Sequence, residues 1–472
     1  MERTLSKAQI GVLGLGTMGE SLALNIAGKG FPIAVFNRTA EKTREFRSTV
    51  APSMSVKATF GLEEFVGALK VPRKVLLMVT AGQAVDQIIR QISPLMSKGD
   101  ILIDAGNSNF VETERRAKEA AEAGIRFMGV GVSGGEEGAL KGPCIMVGGP
   151  REAYSEVEPI FDSIAAKTPS GVCSAYLGPG GAGHFTKMVH NGIEYALMEL
   201  IAEAYDLQLT GLKLDHAKVR DNFAAWEDGD LQSYLMEITV QALSRKDDYT
   251  GGPLVDVILD KARQKGTGKW TSQTALDLGV PVPTIDAGVS ARNLSAYKDE
   301  RVRASKLYPP RRVKFEGDRA AMRDKIGDAL YSSFVMSYAQ GFSLLKAGSA
   351  EFRYDLPLAK ISQIWKGGCI IRSKLLDRVE TALSSDPDLD NLMVDRGLGS
   401  IVRSSEENWR HVVQTMKSLG IPSPAMDSAL DYYDGYRRET LPANLIQALR
   451  DIFGAHTYER VDRPGSFHTD WN

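Results

Sequence analysis

The sequence predicts an α/β amino-terminal domain with a doubly wound sheet, followed by a large all-α domain and a carboxyl-terminal tail. Three observations support this prediction. Short apolar runs alternate with amphipathic segments up to residue 180, only helical periodicity continues beyond it, and that periodicity ends after residue 453. Strand, helix and strand in succession favour parallel pairing with right-handed crossovers. We therefore expect domains at 1–180 and 181–440 and a tail at 441–472.

The composition argues against several classes of protein. The 472 residues carry 57 Lys+Arg against 59 Asp+Glu, a net charge of −2 that argues against a nucleic-acid binder. A hydrophobic content of 43% and a charged content of 25% are typical of a globular protein. No apolar run approaches the roughly 20 residues of a membrane span, and the 3 cysteines form no CxxC pair. We expect a cytoplasmic protein that binds neither nucleic acid nor a membrane.

The alternating part divides into six predicted strands and several helices. Each strand is a short run rich in β-branched or apolar residues, whereas each helix has a longer amphipathic pattern. The predicted strands are 10–13, 33–36, 75–79, 101–104, 127–130 and 145–147, and the clearest helices are 40–50, 84–93 and 112–123.

The first strand runs directly into a glycine fingerprint, and a helical segment at 20–30 follows it. The fingerprint residues are Gly14, Leu15, Gly16, Thr17, Met18 and Gly19. Glycines at this spacing allow a tight turn, approach of the backbone to a pyrophosphate, and close packing of helix on strand. The helix N-terminus adds unpaired N–H groups and a partial positive charge. This context indicates a Rossmann-like dinucleotide site; the alternative is a glycine-rich turn without a ligand.

The residues that end the second strand, Asn37, Arg38 and Thr39, predict which dinucleotide binds. NAD enzymes usually place Asp or Glu there, whereas a 2′-phosphate requires a cation without that carboxylate. The planar fork of Arg38 suits a phosphate, and Asn37 and Thr39 are neutral donors. We therefore predict NADP rather than NAD. The alternative is a surface arginine at a strand end.

Three loops that follow strands are further candidates, because open α/β sheets bind ligands at the carboxyl ends of their strands. The candidates are Val79, Thr80 and Ala81 in the first loop, Asn107 in the second, and Ser133, Gly134 and Gly135 in the third. Asn107 suits a nicotinamide or a substrate hydroxyl, although an Asx turn or a helix N-cap explains it equally well. The two glycines beside Ser133 suit close approach to an anionic or polyhydroxy ligand.

A long helical segment at 184–208 carries one polar stripe among apolar residues. Lys187, His190, Asn191 and Glu194 are spaced i, i+3, i+4 and i+7 and so share one face. Such groups are costly to bury unless they meet a ligand or each other, so the alternative is a structural ion-pair cluster. If burial favours its neutral form, Lys187 can accept a hydroxyl proton while Glu194 acts as an acid. No HExxH or similar ligand motif accompanies them, so we expect metal-independent chemistry.

The helical part shows an internal duplication at an offset of about 138 residues. The residues Lys187, Met198, Leu207 and Trp226 are matched by Lys325, Met336, Leu345 and Trp365. The polar stripe is confined to the first copy, which favours function over scaffold. In the second copy, the positions of His190, Asn191 and Glu194 are taken by Asp328, Ala329 and Ser332.

Two further features lie outside this stripe. Lys265 stands in a Gly/Thr/Lys loop at 265–271, and together with Arg292 it suits a phosphate monoester; the alternative is a solvated basic loop. The tail contains His456 and Tyr458 and would normally be disordered unless it docks on something, plausibly a partner subunit.

Jointly these motifs resemble the 6-phosphogluconate dehydrogenase (decarboxylating) family over essentially the whole length. The resemblance implies NADP-dependent oxidative decarboxylation of 6-phospho-D-gluconate to D-ribulose 5-phosphate, CO2 and NADPH, within the pentose phosphate pathway. It implies that Lys187 is the general base and Glu194 the general acid, and that the protein is a homodimer whose tail enters the neighbouring subunit. The segments that carry it are 14–19, 37–39, 131–139, 187–195, 265–271 and 453–458.

The same resemblance implies which residues hold the substrate. The sugar-acid part would contact Asn107, Ser133, Gly134, Gly135, His190 and Asn191. The phosphate would contact Tyr195, Lys265, Arg292 and, from the other subunit, Arg450 and His456. One departure is Thr80, where many members of the family carry Lys; it leaves open one contact of the cofactor loop.

Two other functions share part of this pattern. Another β-hydroxyacid dehydrogenase would keep the fingerprint and a similar helix, but such enzymes are shorter and lack the second helical unit. A non-catalytic NADP-binding sensor would keep the fingerprint and Arg38, but it has no need of Lys187 and Glu194 on one stripe.

Overall fold

The computed structural model of this chain describes residues 7–264, 266–309 and 313–471. The strands of its first part are β1 (Ile10–Leu13), β2 (Ile33–Phe36), β3 (Val56–Ala58), β4 (Lys74–Leu77), β5 (Ile101–Asp104), β6 (Arg126–Ser133), β7 (Cys144–Gly148), β8 (Lys167–Thr168), β9 (Gly171–Val172) and β10 (Ser174–Gly178). The helices are α1 (Thr17–Gly28), α2 (Ala40–Thr49), α3 (Leu62–Gly67), α4 (Gln83–Ile92), α5 (Phe110–Glu122), α6 (Gly135–Lys141) and α7 (Arg151–Ile164). Within the described residues the main sheet has 8 strands in the order β10-β7-β6-β5-β4-β1-β2-β3.

Apolar side chains cover both faces of this sheet. Val12 lies in a buried cluster with residues of α1 and α7, whereas its neighbour Leu13 lies in a second cluster with residues of α3 and α4. Successive residues of a strand point to opposite faces, so a strand covered on both sides reads as a continuous apolar run. The predicted doubly wound class is confirmed.

One pairing differs from the parallel arrangement that we expected throughout. β7 runs antiparallel to β6, with Gly129 opposite Gly148 and Ser133 opposite Cys144. The connection between these strands contains only the short helix α6. A parallel return needs a crossover of a dozen or more residues, so the chain turns back beside β6 instead. β10 then pairs parallel to β7.

Two strands of the sheet were absent from our prediction. β3 has 3 residues and β10 has the sequence SAYLG, which contains small residues and little β-branched character. Both lie at the two ends of the strand order, where each pairs with one neighbour only. Local pattern is weak in such strands, and pairing with an existing edge decides their conformation.

The second part of the chain is helical. Its elements are α8 (Ala182–Asp206), α9 (His216–Glu227), α10 (Tyr234–Ser244), α11 (Thr267–Asp277), α12 (Pro283–Ser295), α13 (Lys298–Leu307), α14 (Arg319–Glu351), α15 (Leu358–Ile364), α16 (Leu375–Ser385), α17 (Arg396–Leu419), α18 (Pro424–Tyr436) and α19 (Ala443–Gly454), then the short strands β11 (Tyr458–Glu459) and β12 (Ser466–Phe467). The long helices α8 and α14 pack side by side in one large apolar core. No helix among the described residues is long and apolar enough to cross a membrane.

The order of these helices supports the internal duplication. A long helix, a shorter helix that ends near a tryptophan, and a further helix occur first as α8, α9 and α10 and again as α14, α15 and α16. The segments before the third helices pair with one another: Ser233 lies opposite Ser373 in an antiparallel bridge. The Tyr234 N–H donates to the Arg372 carbonyl at 3.0 Å, and the Lys374 N–H donates to the Gln232 carbonyl at 2.9 Å. Corresponding positions of the two copies therefore meet across an approximate two-fold relation.

The tail is ordered around one buried carboxylate. Asp451, at the end of α19, accepts hydrogen bonds from the Thr457 N–H at 3.0 Å and the Thr469 N–H at 3.1 Å. The Trp471 indole donates to the same carboxylate at 2.8 Å, and His468 Nδ1 lies 2.9 Å from it. Four distant donors thus hold the β11–β12 hairpin against its own helix, which a sequence without helical period does not reveal.

Candidate active site

The glycine fingerprint forms the turn between β1 and α1. Gly14 has a φ of +101°, and a side chain there would collide with the Met78 carbonyl. A side chain at Gly19 would collide with the carbonyl of Gly14, so both positions require glycine for packing. At Gly16, by contrast, apart from its immediate chain neighbours, no described residue approaches within 4 Å of the place that a Cβ would take. That open side is where a phosphate can approach the backbone.

The first turn of α1 is free to bind an anion. Gly16 is its N-cap residue and offers no side-chain acceptor, so the first N–H groups are unsatisfied within the helix. A cleft of about 850 Å³ opens beside this turn. Its walls include 16–19, 78–82, Gly106, Asn107 and, from the helical domain, Trp270.

A second cleft, of about 400 Å³, continues from Gly16 to the end of β2. Asn37, Arg38, Thr39, Lys42 and Thr80 line it. In the part of the chain that the structure describes, neither Arg38 nor Lys42 forms an ion pair with a carboxylate. Two cations without an ion pair among the described residues, Arg38 after β2 and Lys42 in the first turn of α2, fit the 2′-phosphate that distinguishes NADP. Lys42 was missed by our sequence reading, although it follows Arg38 by one helical turn.

Asn37 and Asn107 differ in how they are engaged. The Asn37 side chain accepts from the Leu15 N–H at 3.0 Å and donates to the Thr39 carbonyl at 3.2 Å, so it ties the fingerprint to the end of β2. The N-cap of α5 is Asn109, whose side chain accepts from the Val111 N–H at 2.9 Å. Asn107 is therefore not that cap, and its exposed side chain faces the larger cleft.

The polar stripe of α8 forms a closed hydrogen-bonded ring with one residue of the sheet. Lys187 Nζ donates to Asn191 Oδ1 at 2.7 Å and to Ser133 Oγ at 3.2 Å. His190 Nδ1 lies 3.1 Å from Asn191 Oδ1, and His190 Nε2 lies 3.3 Å from Ser133 Oγ. Because Asn191 Oδ1 can only accept, the pattern assigns the imidazole proton to Nδ1, and Ser133 donates to Nε2.

Glycines bring α8 close enough to the sheet for this ring to form. A side chain at Gly131 of β6 would collide with Lys187, and one at Gly183 would collide with the Gly129 carbonyl. At the same strand end, a side chain at Gly134 would meet the Gly368 carbonyl at 2.6 Å. The helix therefore lies directly on the carboxyl end of β6, where Ser133 is located.

Burial sets the protonation states of the ring. Lys187 is 6% exposed, and burial lowers the pKa of its amine, although Glu194 opposes that shift. Burial, reinforced by Lys187, holds the pKa of His190 well below its ordinary value. Burial also raises the pKa of Glu194, against the opposing charges of Lys187 and Arg292. Burial thus shifts the amine of Lys187 and the carboxyl group of Glu194, on one helix face, toward their uncharged forms.

A structural ion pair does not account for the stripe. Within the described residues, no carboxylate lies within 4.0 Å of the Lys187 amine, and Glu194 Oε2 lies 3.9 Å from His190 Nδ1 instead. A neutral amine has two protons, which Asn191 and Ser133 accept. Its third neighbour is His190 Nδ1 at 3.4 Å, but the proton on that nitrogen has a closer acceptor in Asn191 Oδ1 at 3.1 Å, which leaves the lone pair of the amine for a bound hydroxyl group. This arrangement can take up a proton from a bound hydroxyl group.

Segments far along the chain complete the walls. Thr267 Oγ1 accepts from Asn191 Nδ2 at 2.9 Å, which places the start of α11 beside the ring. Lys265 itself lies outside the described residues. The Trp365 ring packs edge-on against His190 with centroids 5.5 Å apart. The sequence prediction did not name Thr267 or Trp365 as site residues. It singled out only the motifs in which they stand, the loop at 265–271 and the repeated tryptophan.

The predicted phosphate residues separate into two groups. Tyr195 lies one helical turn beyond Asn191, and the Arg292 guanidinium lies 3.5 Å from the centre of its aromatic ring. Tyr195 and Arg292 are thus brought together beside the hydrogen-bonded ring. Arg450 donates to Gln447 at 3.1 Å, and His456 packs on Phe453. Both tail residues are exposed and contact their own tail segment. Their predicted role in a neighbouring subunit stays a prediction.

Two family models match this chain. Residues 9–178 match the NAD binding domain of 6-phosphogluconate dehydrogenase, and residues 183–471 match the 6-phosphogluconate dehydrogenase C-terminal domain. The chain belongs to the 6-phosphogluconate dehydrogenase family. The resemblance inferred from the sequence motifs is confirmed.

Individual members of the 6-phosphogluconate dehydrogenase family align along their whole length. The decarboxylating enzyme of Lactococcus lactis subsp. lactis is 52% identical over 469 residues, 99% of each chain. The NADP(+)-dependent, decarboxylating enzyme of Bacillus subtilis is 52% identical over 470 residues, covering 99% of this chain and 100% of that one. A solved structure of Plasmodium falciparum 6-phosphogluconate dehydrogenase, described apo and with its cofactor NADP+ or its substrate 6-phosphogluconate, superposes with a TM-score of 0.95 at 41% identity, covering 98% and 100% of the two chains.

Proposed function

We propose that this chain catalyses the NADP-dependent oxidative decarboxylation of 6-phospho-D-gluconate to D-ribulose 5-phosphate, CO2 and NADPH, within the pentose phosphate pathway. The observation that carries the proposal is the Lys187 amine. It is buried, has no carboxylate partner among the described residues, and donates hydrogen bonds to Asn191 and Ser133. An amine held in that way is a base rather than a counter-ion.

Lys187 acts first as the general base. Bound NADP+ supplies the hydride acceptor, and the Lys187 amine takes the proton of the substrate hydroxyl at C3 as the hydride leaves that carbon. The product of this step is a β-keto acid, which loses CO2. Lys187, now an ammonium, returns its proton to the oxygen of the resulting enediolate. Its hydrogen bonds to Asn191 and Ser133 hold the amine in place through both transfers.

Glu194 completes the reaction as the general acid. Conversion of the enediol into the ketone product needs a proton at C1. Burial raises the pKa of Glu194, which shifts that carboxyl group toward the protonated form that can donate. Base and acid lie on one face of α8, separated by two helical turns, so they can address opposite ends of a short sugar acid.

The remaining side chains hold the substrate in this proposal. The sugar-acid part contacts Asn107, Ser133, Gly134, Gly135, His190 and Asn191. The phosphate contacts Tyr195, Lys265 and Arg292. The packing of Arg292 on Tyr195 supports the second group, because it fixes a cation over the face of the Tyr195 ring, one helical turn beyond Asn191.

A homodimer with exchanged tails completes the site. The helix α19 exposes a row of apolar side chains, and Leu445, Leu449 and Ile452 are 62%, 50% and 53% exposed. Ile446 and Phe453 widen this face and are also exposed. An apolar face of this size on an ordered helix favours a protein partner. In the proposed dimer it docks on the neighbouring subunit and brings Arg450 and His456 of the partner subunit to the phosphate.

The domain division at residues 180 and 440 and a cytoplasmic location belong to the same proposal. All three cysteines are free, which suits a reducing compartment.

The test combines NADP+ and 6-phosphogluconate with the purified protein in the presence of a chelator, and NADPH and CO2 are measured in parallel. Equal amounts of both products are expected. NADPH without CO2 would indicate a simple β-hydroxyacid dehydrogenase, and no turnover would indicate a sensor. Gluconate without the phosphate is the matched control, and it should react far more slowly.

A further inference from the structure

One buried arginine lies between the two loops that line the larger cleft. Arg116 of α5 is 1% exposed and lies among the residues that line that cleft. Its Nε donates to Asp86 Oδ1 at 2.8 Å, and its Nη2 donates to Asp86 Oδ2 at 3.2 Å. Nη2 also donates to the Gly82 carbonyl at 3.1 Å. A guanidinium almost without solvent contact is therefore fixed to the start of α4.

The bond to the Gly82 carbonyl fixes the end of the loop after β4. Gly82 has a φ of +91° and is the N-cap residue of α4, so it is the point where the loop at 79–82 turns into the helix. Arg116 holds the carbonyl of Gly82 and the first-turn carboxylate of Asp86 at the same time. The position of Thr80 and Ala81 along the cleft wall depends on that anchor.

The other end of the guanidinium faces the loop after β5. Arg116 Nη1 lies 3.8 Å from Asp104 Oδ2. Asp104 is fully buried, accepts from the Gly106 N–H at 3.1 Å and from the Ser108 hydroxyl at 2.6 Å, and thereby shapes the turn that carries Asn107. Arg116 is the buried cation that compensates this carboxylate, because an unpaired charge at that depth is costly.

We propose that Arg116 is a positioning residue that sets the spacing between the loop at 79–82 and the loop that carries Asn107, and through that spacing the affinity for the dinucleotide. The proposal deepens the function proposed above and rests on it for the identity of the ligand. The planar guanidinium donates from Nε and Nη2 to Asp86 and Gly82, while Nη1, which has no hydrogen-bond partner among the described residues, turns the positive charge toward Asp104. The compact ammonium of lysine lacks this planar spread of donors and charge. Sequence pattern alone shows an Arg115–Arg116 pair on an amphipathic helix, with nothing to separate the two.

The test compares Arg116→Lys with Arg115→Lys in the full-length protein. Arg115 donates to the same Asp86 carboxylate at 2.8 Å, but its side chain is 41% exposed and its other partners are the surface carboxylates Glu112 and Glu119. It is thus a matched control for charge, helix position and contact with Asp86. NADPH affinity is measured by fluorescence titration, thermal unfolding is measured in parallel, and KM is determined for each substrate.

For Arg116→Lys we expect the NADPH Kd and the KM for NADP+ to rise about tenfold, since hydrogen bonds of a charged group are lost. The KM for 6-phosphogluconate should change less than about threefold, and Arg115→Lys should match the wild type in every assay. An unchanged NADPH Kd in folded Arg116→Lys protein would overturn the proposal. So would equal losses for both substrates, which indicate a general structural role.

Asp86→Asn provides a second, isosteric variant in case Arg116→Lys does not fold. It weakens the anchor of the guanidinium while keeping its shape, and the NADPH Kd should rise about threefold. An unchanged Kd in this variant also contradicts the proposal. Because NADPH binding is measured without the sugar acid, a wild type that binds NADPH but fails to oxidise 6-phosphogluconate would refute the proposed function and leave this test intact.

Discussion

Replacing Lys187 by methionine separates the chemical role of the amine from its role in packing. Methionine keeps the length of the side chain and removes the nitrogen. No acceptor is orphaned, because Asn191 Oδ1 still accepts from His190 and the Ser133 hydroxyl still donates to His190 Nε2. The folded structure should therefore persist, and NADPH affinity should stay within about twofold of the wild type, since no phosphate contact changes.

Turnover should fall steeply in Lys187→Met. Loss of a general base costs roughly 10²–10⁴ in rate. His190 is the other neutral base of the ring, but burial and its hydrogen bond from Ser133 make it a weak substitute. We therefore expect the upper part of that range, about 10³–10⁴, which equals about 4–5 kcal/mol in the activation barrier. Steady-state NADPH formation and CO2 release measure it.

The same substitution predicts a change in the pH dependence of stability. Burial lowers the pKa of Lys187 from its ordinary 10.5, so the unfolded state binds more protons than the folded state between the two values. The free energy of unfolding of the wild type therefore rises with pH across that window, and Lys187→Met lacks this rise. The variant should be the more stable protein at neutral pH, and the difference should shrink as the pH approaches 10.5.

Lys325 provides the control, since it holds the corresponding position in the second copy and is only half-buried. Lys325→Met should leave turnover within about twofold of the wild type, as expected for a surface substitution. Turnover of Lys187→Met within tenfold of the wild type would refute the assignment of the base. A collapse of NADPH binding in that variant would show instead that the amine supports the dinucleotide cleft.

Two other substitutions and one deletion test the rest of the site. Arg38→Asp should raise the KM for NADP+ by on the order of a hundredfold and shift the preference toward NAD+, because a phosphate partner is replaced by a repelling carboxylate; unchanged selectivity would place the 2′-phosphate elsewhere. Glu194→Gln should lower kcat by on the order of a hundredfold and abolish the decline in activity that follows deprotonation of Glu194 as the pH rises, a decline that burial moves above the range of an ordinary carboxyl group; the same decline in the pH–rate profile of the variant would contradict this role. Deletion of the residues after Gly454 should raise the KM for 6-phosphogluconate sharply or dissociate the dimer, as kinetics and sedimentation can show, whereas a truncated enzyme with wild-type kinetics and mass would disprove tail exchange.

Local patterns were sufficient for much of the fold. The predicted bounds of β1, β2 and β5 agree with the structure, because these buried strands are continuous apolar runs flanked by turn residues. β3 and β10 were missed because an edge strand depends on the neighbour it pairs with. The antiparallel return of β7 was also missed, since the length of the β6–β7 connection, rather than strand pattern, decides its direction.

The candidate site divides in the same way. The stripe from Lys187 to Glu194 is readable from helical spacing, and the fingerprint and Arg38 are readable from their places beside strands. Thr267 and Trp365 belong to segments that the motifs single out, but no local pattern shows that these two residues, or Arg116, reach the site. Each reaches the site from a distant segment, so its contribution depends on how helices and sheet pack together.

The order of amino acids therefore determined which groups share a helix face and which turn can approach a phosphate, because those properties depend on a few neighbouring residues. Tertiary packing alone decided that Lys187 is desolvated, that its protons go to Asn191 and Ser133, and that no carboxylate among the described residues pairs with it. These facts set the protonation state of the amine. They arise because desolvation and charge pairing depend on every group that surrounds a side chain in space, and most of those groups are remote in sequence.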